Sequence, residues 1–226
     1  MFFIRVLLVL LFLLCSDLAV GQENFTGYLE PGFSMNYGVA TNYSHNWELA
    51  QRSYFFDGDF KLKARQLDIT HFSKLKIGYD QSVAFGVRYR FRNVFETDEE
   101  NELRFTQQYN FKHQRSSLRY GHRFRAEQRI TPSLTTYRFR YRFAIDLPLN
   151  GEKLDVGEPY LITSTESLLS TARTKVPEYD QRFTVNFGWR LTESTLLQTG
   201  IEYRFEDLTH TTQNVFFFLT SLIVSL

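Results

Sequence analysis

The residues with the greatest chemical potential in this sequence are its arginines. There are 19, and many recur at every second position. Arg88, Arg90 and Arg92 form one ladder. Arg119, Arg123 and Arg125 belong to a second, Arg138, Arg140 and Arg142 to a third, and Arg182 and Arg190 to a fourth. A guanidinium is charged at any physiological pH and presents a rigid fork of donors to carboxylates and phosphates. Such ladders can lace a polar interior together or attract anions. The acids Glu30, Glu48, Asp68, Glu102, Glu127, Asp146, Glu166 and Glu202 share the same parity. Over all the segments defined below, 15 arginines and these eight acids fall on one face, so the face is basic. Two uses are open. The groups can pack into a hydrogen-bonded plug, or their surplus charge can form an anion-preferring path or a site for an acidic ligand.

Other chemistry is sparse. His45, His71, His113, His122 and His210 show no metal-ligand spacing, and no acid-rich calcium loop is present. A G-x-S-x-G nucleophile motif is absent; Gly32-Phe33-Ser34 is only a fragment of one. Cys15 is the single cysteine. No catalytic residue, metal ligand or cofactor is therefore assigned. Glu96-Thr97-Asp98-Glu99-Glu100 reads as a solvated acidic turn, with weak bridging of divalent cations or lipopolysaccharide as its alternative.

The elements that must carry the arginines have a period of two. In 83–92, Val83, Phe85, Val87, Tyr89 and Phe91 oppose Ala84, Gly86 and the three arginines. In 137–147, Tyr137, Phe139, Tyr141, Phe143 and Ile145 oppose Arg138, Arg140, Arg142, Ala144 and Asp146. On a helix these arginines would scatter round the cylinder; on a strand they share one face. The alternation and the intervening turn residues predict strands at 25–39, 43–56, 60–79, 83–95, 101–112, 118–129, 135–147, 159–169, 180–191, 195–205 and 213–226. Most are about twice the usual globular strand length. A regular meander of long strands predicts an all-β, up-and-down antiparallel transmembrane β-barrel of about 10–12 strands. Single-chain bacterial barrels have even strand numbers. Eleven segments therefore imply one misassigned segment, expected before Ser82.

Composition narrows the class. The chain has 226 residues, 17% of them aromatic, which excludes a disordered chain. A net charge of +1 argues against a nucleic-acid partner driven by counterion release. Residues 1–21 read as a secretory signal: Arg5, the apolar run Val6–Leu14, then Ala19-Val20-Gly21. The apolar run falls short of the roughly 20 residues a spanning helix needs. The barrel domain is then 22–226, and it contains no cysteine. Export of a disulfide-free chain of this size fits a bacterial cell better than an extracellular eukaryotic setting.

Alternation alone does not say which face lies inside. A soluble lipocalin-like barrel would enclose the aromatic face and bind an apolar ligand there; a membrane barrel reverses the two faces. Long strands, the segregated arginines and the closing run with Phe216, Phe218, Leu222, Val224 and Leu226 on one face favour the membrane.

The middle of the chain carries a family likeness. Phe124-Arg125-Ala126-Glu127-Gln128-Arg129 leads to Tyr137-Arg138-Phe139-Arg140-Tyr141-Arg142-Phe143 and Leu147-Pro148-Leu149. Tyr160-Leu161, Glu166, Asp180-Gln181-Arg182-Phe183 and Gly188-Trp189-Arg190-Leu191 follow. This order resembles the family catalogued as domain of unknown function 2490, outer-membrane β-barrels of Gram-negative bacteria with no assigned activity. The resemblance spans about 24–226 and is most specific over 118–191. It implies a fold and a compartment, the cell outer membrane, and transfers no catalytic residue. The expected role is structural or transport-related, with the lumen a narrow anion-preferring pore and a small anionic solute as its cargo. Expected partners are outer-membrane lipid and, during biogenesis, the barrel-assembly machinery. The competing functions are the lipocalin-like binder and an outer-membrane lipid-modifying enzyme.

Overall fold

Alternating aromatic and arginine residues are realised as eleven β-strands. The computed structural model describes residues 24–226, and the segment 1–21 expected to be a secretory signal lies outside the described residues. The strands are β1 (Phe25–Ala40), β2 (Tyr43–Asp57), β3 (Asp59–Lys76), β4 (Gln81–Phe91), β5 (Glu102–Arg115) and β6 (Leu118–Ile130). They continue as β7 (Thr135–Pro148), β8 (Pro159–Ala172), β9 (Lys175–Arg190), β10 (Thr195–Glu206) and β11 (Gln213–Ser225). Each pairs antiparallel with the next, and the sheet closes on itself as a barrel. No helix occurs among the described residues.

The expectation of an even strand number is overturned. All three strands before Ser82 form, and β11 closes on β1 in parallel, from Phe25↔Asn214 to Asn36↔Ser225. The parallel seam follows from the count. In a meander of alternating direction the first and eleventh strands run the same way, so closure between them can only be parallel. Closure leaves no free sheet edge. It also puts the start of β1 and the end of the chain at opposite rims. The rim at Phe25 carries the β2–β3, β4–β5, β6–β7, β8–β9 and β10–β11 connections; the rim at Ala40 carries the others and Leu226.

Local chemistry sets the tight turns. Gly58, alone between β2 and β3, adopts a φ of 76°, a left-handed conformation that costs a glycine little. Inside the barrel, Gly86 of β4 leaves room for the Phe72 ring from β3; an added Cβ would overlap that ring. The pairing of β2 with β3 shifts between Arg52 and Ser53, so that Arg65 becomes the extra residue of a bulge.

The two faces differ completely. Tyr89, Phe124, Tyr137, Phe139, Tyr141, Phe183 and Phe218 are exposed on the outside. Asp68, Arg90, Glu102, Arg104, Glu127, Arg182 and Arg204 are buried inside. The interior is thus charged and the exterior apolar, the reverse of a lipocalin-like barrel with an aromatic interior. Polar groups on the outer face satisfy one another: Gln181 donates to Thr165 Oγ1 at 2.6 Å, and Ser167 donates to Gln181 Oε1 at 2.7 Å.

Closure depends on the last strand at both of its edges. Deleting Leu222–Leu226 removes the partners of Phe33–Asn36 on β1 and of Thr195–Leu197 on β10. The truncated chain is expected to lose the compact band that migrates differently before and after boiling on a detergent gel. A truncated chain that keeps this band would contradict closure through β11.

Candidate functional site

Inward-facing side chains of all the strands converge on a central cavity of about 500 Å3. Fourteen arginines line it, against six carboxylates on its wall: Glu30, Glu48, Asp68, Glu166, Glu202 and Glu206. Glu102, Glu127 and Asp180 are buried behind them, each under 5% exposed. Because inward residues alternate along each strand, neighbouring ladders place arginines opposite one another. Arg104 faces Arg129, Arg182 faces Arg204, and Arg123 faces Arg142.

Like charges directly opposite destabilise a sheet. Most of these pairs are held by carboxylates between them. Glu102 accepts from Arg104 at 2.6 Å through one oxygen and from Arg129 at 2.6 Å through the other. Glu206 lies between Arg182 and Arg204, at 3.8 and 3.5 Å. Asp68 takes both arms of Arg90, at 2.7 and 2.6 Å, with Arg88 at 3.4 Å. Arg140 donates to Glu127 at 2.9 Å and to Glu166 at 2.5 Å. Arg52 pairs with Glu30 at 2.6 Å, and Arg204 with Glu202. Glu48 reaches Arg88 at 3.6 Å, and Arg138 stands 4.0 Å from Asp180.

Three lining arginines have no such partner among the described residues. Arg123 and Arg142 make neither an ion pair nor a side-chain hydrogen bond, and Arg142 Nε is buried without a partner. Arg125 donates only to the neutral Gln108, at 2.5 Å, and lies 5.4 Å over the Phe72 ring. The acid facing Arg142 across the β7–β8 ladder is Glu166, whose carboxylate turns to Arg140 instead.

The barrel's two halves are unlike. Toward the Phe25 rim, Tyr28, Tyr54, Val215 and Phe217 form an apolar cluster inside the lumen. The Arg204 and Arg52 guanidinium groups stand 3.8 and 4.7 Å from the centre of the Phe217 ring, an attraction to the π-face. The β4–β5 connection folds over this rim. Glu96 pairs with Lys63 at 3.4 Å and Arg65 at 3.8 Å, and Glu99 with Arg65 at 3.6 Å and Arg92 at 3.3 Å. The solvated acidic turn expected for 96–100 is therefore a partly buried cap, with the Glu96 side chain 18% exposed. Toward the Ala40 rim a second cavity of about 460 Å3 is lined by Lys74, Lys112, Arg119, Asp146 and Gln198. It shares Arg123 and Arg142 with the central cavity.

Of the arginines singled out by the sequence, Arg88, Arg90, Arg92, Arg123, Arg125, Arg138, Arg140, Arg142 and Arg182 line the central cavity. Arg119 stands at the Ala40 mouth, half exposed and bonded to Asp146. Arg190 is displaced from the lumen; it donates to the Leu154 and Glu193 carbonyls at 2.8 and 3.3 Å and so anchors two rim loops. It sits at the last residue of β9, where the chain turns over the rim. Sequence parity missed Arg65, which only the bulge turns inward. It also missed Asp180 and Glu206, which share the parity of Arg182 and Arg204 but stand at the first residue of, and just beyond, their predicted strands 180–191 and 195–205.

One polar cluster lies on the outer face. His45 Nδ1 approaches His71 Nε2 at 3.0 Å and Ser73 Oγ at 3.3 Å, beside Trp47. A nucleophile relay uses one ring nitrogen toward the hydroxyl and the other toward the orienting group. Here both approaches meet the same nitrogen, so the three residues do not form a relay. His122 is bonded to Tyr141 Oη at 2.9 Å on the same outer face. Among the described residues no group of three or more His, Cys, Asp or Glu is placed to hold a metal ion.

Two outcomes test this lattice. Glu102 is 1% exposed and holds two guanidiniums. Removing one member of a buried ion pair costs about 3–5 kcal/mol. Glu102→Gln should lower the denaturant midpoint of the folded barrel in detergent accordingly, and Glu193→Gln on an exposed loop should not. Equal midpoints would contradict the pairing. At the Phe25 rim, the Ser133 hydroxyl donates to Glu100 at 2.6 Å, and this bond holds the Glu100 carboxyl below the usual carboxylate range. A lowered folded value means that the contact is complete above the ordinary pKa and is lost as pH falls through the folded one. The Ser133 amide resonance, whose N–H also donates to Glu100, should titrate below the usual glutamate range. A midpoint at or above that range would contradict the contact.

Comparison with known proteins gives one match. A family model described as protein of unknown function (DUF2490) covers residues 31–215. No curated protein and no solved structure matches the chain.

Proposed function

The chain belongs to the DUF2490 family of proteins of unknown function, and from that premise we propose that it is an outer-membrane β-barrel whose arginine-lined lumen admits small anions. The observation that carries this reading is the charge imbalance of the lumen inside an apolar shell. Adding the capping Glu96 and Glu99 to the wall and buried acids leaves eleven carboxylates for the fourteen lining arginines. Guanidinium cannot discharge at physiological pH, so the surplus requires mobile anions. The outer face supports the membrane part of the proposal. Exposed Phe, Tyr, Leu and Val side chains recur on the outer face of the strands, which suits the apolar band of a membrane barrel.

In this reading the partners are outer-membrane lipid around the belt, the barrel-assembly machinery during insertion and a small anionic solute inside. Nucleic acid has no place in it. A lipocalin-like role would need an interior that is apolar throughout, whereas here the apolar cluster at the Phe25 end gives way to a lumen lined by arginines. The lipid-modifying alternative would need a nucleophile relay on the outer face, and the His45, His71 and Ser73 geometry does not supply one. We assign no enzymatic activity and no cofactor.

Cell fractionation and electrical recording test the proposal together. The protein should appear in the outer-membrane fraction and leave it only with detergent. In planar bilayers under a potassium chloride gradient, its reversal potential should have the sign of chloride permeation. Recovery as a freely soluble periplasmic protein would overturn the membrane part. Cation preference would overturn the role given to the arginines, and absence of conductance would reduce the lumen to a structural plug.

A further inference from the structure

Eleven of the fourteen lining arginines have a carboxylate within ion-pair distance; Arg123, Arg125 and Arg142 do not. These three are neighbours. Arg123 and Arg142 face each other in the β6–β7 ladder, and Arg125 is the next inward residue on β6. Successive inward residues on a strand are about 6.6 Å apart, so the three side chains enter the same stretch of the lumen, and all three line the central cavity. At two other facing pairs a carboxylate lies between the arginines, Glu102 between Arg104 and Arg129 and Glu206 between Arg182 and Arg204. The facing pairs Arg88–Arg104, Arg125–Arg140 and Arg123–Arg142 share no carboxylate, and only in the last does neither member have a carboxylate partner among the described residues. The site is also placed for entry, because Arg123 and Arg142 belong both to the central cavity and to the one that opens toward the Ala40 rim. Lys74 and Lys112 line that approach.

We propose that Arg123, Arg125 and Arg142 form the binding site for a tetrahedral oxyanion of the phosphate class, entering from the Ala40 end. Three guanidiniums call for a dianion rather than a single halide, and their forks match tetrahedral oxygens in pairs. Arg125 is held ready by Gln108, which in turn donates to Asn110 at 2.9 Å. Opposite this approach, the Phe25 end is crowded by Phe217, Tyr28 and the cap, where Glu96 and Glu99 already neutralise Arg65 and Arg92. The proposal rests on the same charged lumen as the anion-pore reading, but it concerns binding, not conduction.

The test is calorimetric titration of the detergent-solubilised full barrel with inorganic phosphate at constant ionic strength. Saturable binding of one phosphate per chain is expected, weakened at least tenfold in Arg142→Gln and in Arg123→Gln. Arg173→Gln, in the β8–β9 turn, should leave it unchanged. Arg142→Lys should recover part of the loss, since it restores charge without the fork. Glycerophosphate is the second arm. Binding of phosphate alone assigns the site to a free anion, and binding of both extends it to a lipid headgroup. Folding of each variant is checked by its mobility before and after boiling. If the glutamine variants do not fold, the parent's denaturant midpoint decides; phosphate should raise it and an equal ionic strength of chloride should not. Absence of saturable binding, binding undiminished in both glutamine variants, or an unshifted midpoint would overturn the site. Phosphate binding without conductance would sink the pore and leave the site standing.

Discussion

The fold depends on confining charge that cannot be neutralised by titration. Arginines cross-linked by carboxylates fill the barrel, and the rest of the architecture serves that arrangement. The period of two in the sequence delivers one polar face, and closure turns that face away from the surroundings. Burial then makes each partner indispensable. A buried pair adds little net stability over an apolar one, yet losing one member is expensive because the other stays charged. Such a lattice therefore fixes register more than it adds stability. A slip of one residue would exchange the whole arginine face with the aromatic one.

The odd strand number and the one-sided cap give the barrel a polarity. Parallel closure places the start of the first strand and the end of the last at opposite rims. One rim carries the acidic cap of Glu96 and Glu99 over Arg65 and Arg92. The other carries the Arg119–Asp146 pair and the open approach past Lys74 and Lys112. Charge thus changes along the axis, from compensated and aromatic at the Phe25 end to basic and open at the Ala40 end. A symmetric pore would treat its two ends alike; this lumen reads as a pocket with a preferred entrance. The uncompensated group of Arg123, Arg125 and Arg142 lies where the two cavities meet.

Much of this was legible in the residues. Strict alternation over runs such as 137–147 fixes strand identity and face, because only an extended chain places every second side chain together. The eleven predicted segments correspond to β1 to β11 with small shifts at the ends. The largest shift is the early start of β9 at Lys175, and β4 stops short at Phe91. There the chain leaves the sheet so that its acids can cap the lumen, and no periodicity announces that. Parity likewise placed Arg88, Arg90, Arg138, Arg140 and Arg182 with Asp68, Glu102, Glu127 and Glu166 on the inner face.

Local sequence by itself determined strand, face and composition, because these are set by neighbours one and two residues apart. What it could not determine is anything that depends on distant strands meeting. Only the expected evenness of the count failed, because a rule about even barrels has no counterpart in local alternation; the parallel seam between β1 and β11 arises only on closure. Arg65 was not counted on the inner face because a bulge is a mismatch between two strands, invisible in either one. Arg190 has inward parity but meets carbonyls at the rim. Which arginines are compensated is likewise decided in three dimensions, since each carboxylate chooses among several guanidiniums on facing ladders. Glu166 turning to Arg140 and not to Arg142 is such a choice. Counting charges gave the surplus; only the folded barrel located it.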